Sequence, residues 1–333
     1  MQAVRLVQLL GLAFIMAGLS THAHSADRSD FRRPDEIPFP ADNLYTSEKA
    51  ALGKALFFDA RMSGAENMNC ASCHNPSFGW EVPVKTAVGS LNTRLVRRAP
   101  TILDAAWIGP FFWDGRAATA EQQARGPIEN PAEMNLPLPA AVARLSAIDG
   151  YKKWFARVFP NEGITPDTIV RSIATFERTV VASHSPFDSW VEGDETALTD
   201  PQKRGFALFV GKANCVYCHS GWNFTDNKFH DTGLGGTDPG RSAIEFGNLS
   251  AKHAFKTPTL RDIGQRAPYM HDGEMATLDE VVAHYLVGGV DRPSRDPLIG
   301  PLDLSDGEFS DLLGFLNSLT GTRQIVPMPV LPN

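Results

Sequence analysis

The sequence predicts a protein of two related halves in which helices are the main recognisable elements. Two observations support the duplication: the motif C-x-x-C-H occurs at residues 70–74 and again at 215–219, and a gapless repeat lies downstream of each copy. A third observation supports helices, because helix-capping residues precede segments with one apolar side in both halves. With 333 residues, the chain is long enough for two domains of ordinary size.

The first 26 residues differ in composition from the rest of the chain. Arg5 is their only charged residue, and it precedes an apolar run that ends in small residues near Ala23 and Ala26. This pattern is typical of a secretory signal peptide cleaved after Ala23 or Ala26, with an uncleaved anchor helix as the alternative. We therefore expect a soluble protein exported to the periplasm, without stable membrane insertion after cleavage.

The charge balance argues against one class of partner. The formal net charge is −7 at pH 7. Proteins that bind nucleic acids neutralise phosphates with clustered Lys and Arg, so an acidic exported chain is a poor candidate for this class. The 28 Gly and 24 Pro residues predict long ordered loops between the helices.

Helices are expected at several places along the chain. The shared pattern G-x-A-L-F marks one at residues 53–57 and another at 205–209, and the second helix starts near Thr199. A further helix opens at Thr165 and has an apolar stripe through residues 169–180. Two more are expected at residues 276–287, with a capping box of Thr277 and Glu280, and after Ser305, which pairs with Glu308.

The two C-x-x-C-H motifs contain all four cysteines of the chain. A c-type haem needs this arrangement, because each thiol adds to one vinyl group and the following histidine binds the iron. A zinc site would leave both histidines without a role, and a dithiol redox site would need a helix that begins at the cysteines. Local disulfides are the remaining rival. Two complete copies favour two covalently bound haem c groups, held by Cys70, Cys73, His74, Cys215, Cys218 and His219.

The repeat extends beyond the motifs. Residues 100–127 align without a gap on residues 258–285, and eight positions are identical. The chain is therefore expected to form two cytochrome c-like haem domains related by internal duplication. The expected divisions are a signal peptide at 1–26, an N-terminal haem domain at 27–192 and a C-terminal haem domain at 193–333.

The differences between the repeats indicate which haem is open. Tyr285 aligns with Pro127; a phenolate can bind iron, whereas proline offers no side-chain ligand. If this position faces the iron in both halves, the second haem has ligands on both faces and the first keeps a vacant one. Met270, Met275 and His284 compete with Tyr285, but a helix that directs Tyr285 inward rotates His284 by about 100°.

These motifs resemble those of the bacterial di-haem cytochrome c peroxidases, and more closely their MauG-like branch. The resemblance rests on both C-x-x-C-H motifs and on F-W-D-G-R at 112–116, G-P-I-E-N-P at 126–131 and P-Y-M-H-D-G at 268–273. It implies a mainly α-helical fold with one haem in each domain. It also implies that Trp113 lies between the haems, that Gln123, Pro127 and Glu133 line the distal pocket of the peroxide-reactive haem, and that Tyr285 replaces a methionine ligand.

Two departures from the standard peroxidases stand out. The loop at residues 86–101 contains no histidine, and Ser90 takes the place of the residue that caps the N-terminal haem in those enzymes. This loss favours a five-coordinate haem. The family also binds calcium between the haems, at positions that correspond to Arg98, Arg266 and Pro268. Two cations there argue against calcium, although the backbone carbonyls are expected to remain available.

The resulting hypothesis is a haem peroxidase-type oxidoreductase. Hydrogen peroxide would react at the His74 haem, where Glu133 would transfer a proton from one peroxide oxygen to the other. Trp113 would share the oxidising equivalents with the second haem, bound by His219 and Tyr285. In the MauG-like form the enzyme oxidises a partner protein; the alternative is a cytochrome c peroxidase supplied with electrons by a small cytochrome or cupredoxin. A second alternative is a non-enzymatic di-haem electron carrier.

Overall fold

The computed structural model describes residues 26–333, so the expected signal peptide lies almost entirely outside the described residues. Helices supply nearly all the regular structure of residues 26–333, which include nine α-helices and one two-stranded sheet. None of the helices in this range is long and apolar enough to cross a membrane. The mainly helical fold expected from the sequence is therefore confirmed.

The elements follow one another along the chain with long connecting loops. The helices are α1 (Ser47–Phe58), α2 (Ala120–Glu129), α3 (Leu138–Ser146), α4 (Asp149–Val158), α5 (Pro166–Arg178), α6 (Pro186–Val191), α7 (Asp200–Val210), α8 (Leu278–Val287) and α9 (Asp306–Ser318). The strands are β1 (Phe229–His230) and β2 (Phe255–Lys256), which pair antiparallel. Short 3-10 turns cover both C-x-x-C-H motifs, at Cys70–Ser72 and Cys215–Tyr217.

Hydroxyl side chains set the start of most helices. In seven of them the oxygen of a Ser or Thr immediately before the helix accepts a backbone N–H from the first turn, which satisfies a donor that the helix leaves free. These residues are Thr46, Thr119, Thr165, Ser185, Thr199, Thr277 and Ser305. The capping box expected at Thr277 and Glu280 is only half formed, because the Glu280 carboxylate accepts from Ala276 N instead.

Each half is built on one pair of closely packed helices. In the first half, α1 lies so close to α5 that a Cβ at Gly53 would stand 1.8 Å from the Ser172 carbonyl oxygen. In the second half, a Cβ at Gly205 of α7 would stand 2.0 Å from the Asp311 carbonyl oxygen of α9. Glycine is required at both positions because only a residue without Cβ permits this approach. The close packing explains the shared G-x-A-L-F pattern.

The apolar core consists of two clusters. The buried members of the first cluster all lie between Leu52 and Ala182 and include Phe57. The second cluster combines Phe31 with buried residues between Phe187 and Leu319. Each cluster contains the facing sides of one of the two helix pairs, so the packing is organised around α1 with α5 and α7 with α9.

Backbone features recur 158 residues apart in the two halves, the separation between α2 and α8. The loop that precedes each helix closes with an antiparallel bridge, between residues 111 and 117 in the first half and 269 and 275 in the second. Left-handed residues recur at the same separation, at Asp104 and Asp262, Phe112 and Met270, and Gly115 and Gly273. The segments that lead into α2 and α8 therefore share one local conformation.

Candidate haem centres

The two C-x-x-C-H motifs fold into the same turn. In the first, the backbone N–H groups of Cys73 and His74 donate to the Cys70 carbonyl at 3.1 and 2.8 Å. In the second, those of Cys218 and His219 donate to the Cys215 carbonyl at 3.3 and 2.9 Å. All four thiols are free, so the rival prediction of local disulfides is not what the structure contains.

The first motif opens onto a large cavity. Its volume is about 830 Å³, within the range of small-molecule and cofactor sites. The lining includes all three motif side chains, Cys70, Cys73 and His74, together with Gln123 and Pro127 of α2. His74 is the only histidine among the described residues that line it. The cavity thus combines two thiols and an imidazole with space for a large planar group.

The second motif faces a smaller cavity of about 200 Å³. Cys215, Cys218 and His219 line it, and so does Tyr285 of α8. The remaining lining is mostly apolar and comes from α7, α8, α9 and the two strands, together with the loops between them. The fit of a haem here rests on the donor set rather than on the volume, since two thiols, an imidazole and a phenol meet in one apolar space.

The competing ligands for the second site occupy different places. Met270 lines the same cavity as Tyr285. His284 does not line it, and its Nε2 lies 2.9 Å from the Thr232 carbonyl oxygen, an acceptor that holds the ring in place. Met275 is also absent from the lining among the residues that the structure describes. Burial raises the pKa of Tyr285, which keeps the phenol neutral in a site without a metal.

Both motif histidines are arranged as metal ligands. Nδ1 of His74 lies 3.3 Å from the Trp80 carbonyl oxygen, and Nδ1 of His219 lies 2.9 Å from that of Phe224. A carbonyl can only accept, so Nδ1 carries the proton in each ring and Nε2 keeps its lone pair. Burial lowers the pKa of His74 to about 4 and also lowers that of His219. Both rings are therefore held in the neutral form that binds metals.

The electrostatics of the thiols disfavours the rival sites. Burial raises the pKa of Cys73 to about 11 and that of Cys215 to about 12. A dithiol redox site instead needs a thiol whose pKa is lowered. A zinc site would need several of these ligands to converge, but within residues 26–333 the only metal-like cluster is Cys218, Asp226 and His230, which contains one cysteine.

The expected distal residues meet in the first cavity. Gln123 and Pro127 of α2 line it together with Glu133, which lies four residues beyond the end of the helix. Oε1 of Glu133 accepts a hydrogen bond from the Asn130 amide at 2.7 Å. Burial raises the pKa of Glu133, while this hydrogen bond opposes the shift. A carboxyl with a raised pKa that lines the cavity is suited to proton transfer.

Ser90 lies behind this pocket rather than in it. It is buried, and its backbone N–H donates to the Glu133 carbonyl at 2.8 Å. It does not line the first cavity, whereas its neighbour Gly89 does. The loop that lacks a histidine therefore supports the backbone of Glu133.

Trp113 lies between the two cavities. It is the only residue of the described chain that lines both of them. Its indole Nε1–H donates to the Arg98 carbonyl at 2.8 Å, and its ring centroid lies 6.4 Å from that of His271. Hydrogen bonding and ring contact thus fix the orientation of the indole.

A buried charge cluster supports this junction, and sequence reasoning missed its acidic member, Glu81. The Arg98 guanidinium contacts the Glu81 carboxylate at 2.8 Å and donates to the carbonyls of Arg266 at 3.2 Å and Ala267 at 3.3 Å. Arg266 contacts the other Glu81 oxygen at 3.2 Å. One of the backbone carbonyls expected at a calcium site, that of Arg266, therefore already accepts a hydrogen bond from the Arg98 side chain.

A second polar cluster lies beside the second cavity. His230 lines this cavity, with Nε2 2.9 Å from Asp226 and Nδ1 2.6 Å from Asp296. The bond to Asp226 is the main cause that raises the pKa of His230 to about 11. No sequence motif predicts this arrangement, since Asp296 is 66 residues from His230 in the sequence.

Known proteins that are similar to this chain include di-haem peroxidases, in agreement with two haem sites. A family model described as di-haem cytochrome c peroxidase matches residues 47–196. The chain is 45% identical over 325 residues to the methylamine utilization protein MauG of Methylorubrum extorquens, which covers 97% of this chain and 92% of that protein. It is 34% identical over 366 residues to cytochrome-c peroxidase IdrP1 of Pseudomonas sp. strain SCT, which covers 100% of this chain and 96% of that protein.

Solved structures give the same result. A MauG-like protein associated with microbial copper homeostasis has 33% sequence identity and a TM-score of 0.81, covering 87% of this chain and 95% of that chain. These alignments span nearly the whole chain and confirm the resemblance indicated by the motifs. The chain belongs to the family of di-haem cytochrome c peroxidases and MauG proteins, and it is an oxidoreductase of the haem peroxidase type.

Proposed function

We propose that the protein is a MauG-like di-haem peroxidase, with one covalently bound haem c in each half, that uses hydrogen peroxide to oxidise a partner protein. The family implies two c-type haems, the free thiols of both motifs suit covalent attachment, and the neutral histidines suit binding of the iron. The identity to MauG, 45%, exceeds the 34% to a cytochrome-c peroxidase over comparable lengths.

One observation carries the proposal. Pro127 in α2 and Tyr285 in α8 lie 158 residues apart, and each lines the cavity of its own half. Proline has no side-chain donor, whereas tyrosine offers a phenol oxygen. A haem in the first site would therefore be held by His74 with no side-chain ligand from position 127, whereas a haem in the second would be held by His219 and Tyr285.

The polar residues of the first cavity can handle the protons of the reaction. A haem bound by His74 supplies the redox-active iron at which hydrogen peroxide is reduced. Glu133 can take a proton from one peroxide oxygen and return it to the other, the leaving one. The Asn130 amide holds Oε1 of Glu133, so Oε2 is the oxygen free for this transfer. Gln123 can donate a hydrogen bond but cannot carry the proton.

Trp113 is the residue through which we propose that the two sites exchange electrons. Its place in the lining of both cavities supports this role. The bond from its Nε1–H to the Arg98 carbonyl ties its orientation to the buried Glu81 cluster. A fixed indole between two redox sites keeps the electron-transfer distance constant.

The paired backbone features support our further proposal that the halves arose by internal duplication. The two apolar clusters support a division into domains at 27–192 and 193–333, apart from Phe31, Phe187 and Trp190, which pack in the second cluster. The composition of residues 1–26 supports export to the periplasm after cleavage of a signal peptide. The occupied Arg266 carbonyl supports an inter-haem region without calcium.

Stopped-flow absorption spectroscopy tests the function. With one equivalent of hydrogen peroxide and no donor, we expect a rapid spectral change at both haems that persists for longer than the mixing time. An electron carrier with two closed sites would show no rapid change. If a small reduced cytochrome or cupredoxin returned the spectrum through many turnovers, the cytochrome c peroxidase alternative would replace the MauG-like one.

A further inference from the structure

Lys256 lies at the junction of the two candidate haem sites. It is the second residue of β2, whose first residue, Phe255, stacks on His271 at 3.6 Å between ring centroids. Successive side chains of a strand point to different faces, so Lys256 lies on the other face, where its Nζ is 6.0 Å from the centre of the Phe111 ring. Its backbone N–H donates to the Trp113 carbonyl at 2.8 Å.

The ammonium group of Lys256 has no anionic partner within residues 26–333. Burial alone lowers its pKa to about 8, and no neighbouring carboxylate opposes that shift. Other buried cations of residues 26–333 have polar partners: Arg98 and Arg266 share Glu81, and Arg261 pairs with Asp188. The buried Lys49 ammonium has no carboxylate beside it, but it donates to the Asn43 side chain and to the Leu44 carbonyl. The Lys256 side chain is half-buried, and an ammonium largely withdrawn from water normally has an anion or a polar acceptor beside it.

The spaces that Lys256 lines indicate where an anion would enter. It lines the second cavity together with His219 and Tyr285. It also lines a separate space of about 80 Å³, whose lining includes His74 and Gln123. Lys256 therefore borders both sites at which the proposed function puts a haem, and every haem c carries two propionate carboxylates.

Two protein carboxylates line the same small space as Lys256, and one of them, Glu81, is already paired with Arg98 and Arg266. Glu177 is buried and lines the same small space, and burial raises its pKa to about 8. Within residues 26–333 no ion pair at 4.0 Å or less joins the Glu177 carboxylate to the Lys256 ammonium, so the two groups do not form a salt bridge. The missing anion is therefore not supplied by this side chain.

We propose that Lys256 binds a propionate carboxylate of a bound haem and so holds a positive charge between the two sites. This inference rests on the proposed function, since it requires haems at both motifs. The charge stabilises the reduced state of the haem whose propionate it binds. A unit charge at about 10 Å and an effective dielectric constant of about 20 changes such an equilibrium by roughly tenfold, about 59 mV for one electron.

Substitution of Lys256 tests the proposal without any activity measurement. Lys256→Met keeps most of the side-chain length and removes the charge, Lys256→Arg keeps the charge, and Lys252→Met removes an exposed charge nearby as the matched control. Spectroelectrochemical titration of the holoprotein gives the potential of each haem. We expect Lys256→Met to lower one potential by about 59 mV, a tenfold change, while Lys256→Arg and Lys252→Met stay near wild type.

The haem whose potential moves identifies the propionate. Resonance Raman bands of propionate bending should shift in Lys256→Met and be retained in Lys256→Arg. Unchanged potentials and unchanged propionate bands in Lys256→Met, with both haems attached, would overturn the proposal. Haem content measured on the same samples separates this outcome from failure of the proposed function, which would appear as fewer than two haems in the wild type. If Lys256→Met does not accumulate, Lys256→Gln carries the same expectations.

Discussion

Removal of the Arg98 side chain tests the buried cluster that supports the junction between the halves. Arg98 is 2% exposed and Glu81 is 6% exposed, so their contact at 2.8 Å is shielded from water. In Arg98→Met, Glu81 keeps only the 3.2 Å contact with Arg266, and the Val84 carbonyl loses its 2.6 Å donor. Breaking a buried pair in this way typically costs about 3 to 5 kcal/mol.

Urea unfolding of the holoprotein, followed by circular dichroism, measures this loss. The matched control is Lys85→Met, which breaks the Lys85–Glu274 pair; both of its side chains are 59% exposed. That pair should contribute less than about 1 kcal/mol. Equal losses in the two variants would refute the reasoning. A wild-type unfolding midpoint that decreases on addition of a calcium chelator would also refute it, because calcium rather than the Arg98 side chain would then stabilise this region.

Three further predictions concern the first pocket, the second site and the helix packing. Glu133→Gln should slow the reaction with peroxide by about 10²- to 10⁴-fold. The wild-type rate should decrease at acid pH as Glu133 becomes protonated, and because burial raises the pKa of Glu133, this decrease should begin at a higher pH than for an exposed carboxyl. In the variant, stopped-flow measurements should show no such decrease. Tyr285→Met should raise the potential of the second haem, since a thioether favours the reduced iron; an unchanged potential would remove Tyr285 as a ligand. Gly53→Ala should destabilise the protein by about 1 to 3 kcal/mol in urea, whereas Gly307→Ala, where an added Cβ meets nothing within 4 Å, should not.

The sequence predicted those features that depend on residues close together in the chain. The C-x-x-C-H motifs, the cap at Thr199 and the offset between α2 and α8 depend on residues close together in the chain. One of the two hydrogen bonds of the capping box at Thr277 is absent, because the Glu280 carboxylate accepts from the backbone N–H of Ala276 instead of that of Thr277. Such a difference depends on a rotamer, which a residue pattern does not specify.

Contacts between distant segments could not be predicted in the same way. Glu81 and Arg266 are 185 residues apart, and no sequence motif predicts that their side chains form an ion pair. The position of Lys256, beside the second cavity and the small space lined by His74, depends on the pairing of a two-residue strand, which is too short to leave a hydrophobic pattern. The resemblance to a family suggested Trp113 as a bridge, but its place in both linings required the fold.

The central claim is that the first haem iron keeps a free face while the second is bound on both sides by protein. Low-temperature EPR of the fully ferric protein tests it most directly, with Tyr285→Phe measured beside the wild type. We expect one high-spin and one low-spin signal of equal weight in the wild type, and conversion of the low-spin signal to high spin in the variant. Two low-spin signals in the wild type, or a variant with an unchanged spectrum, would contradict it.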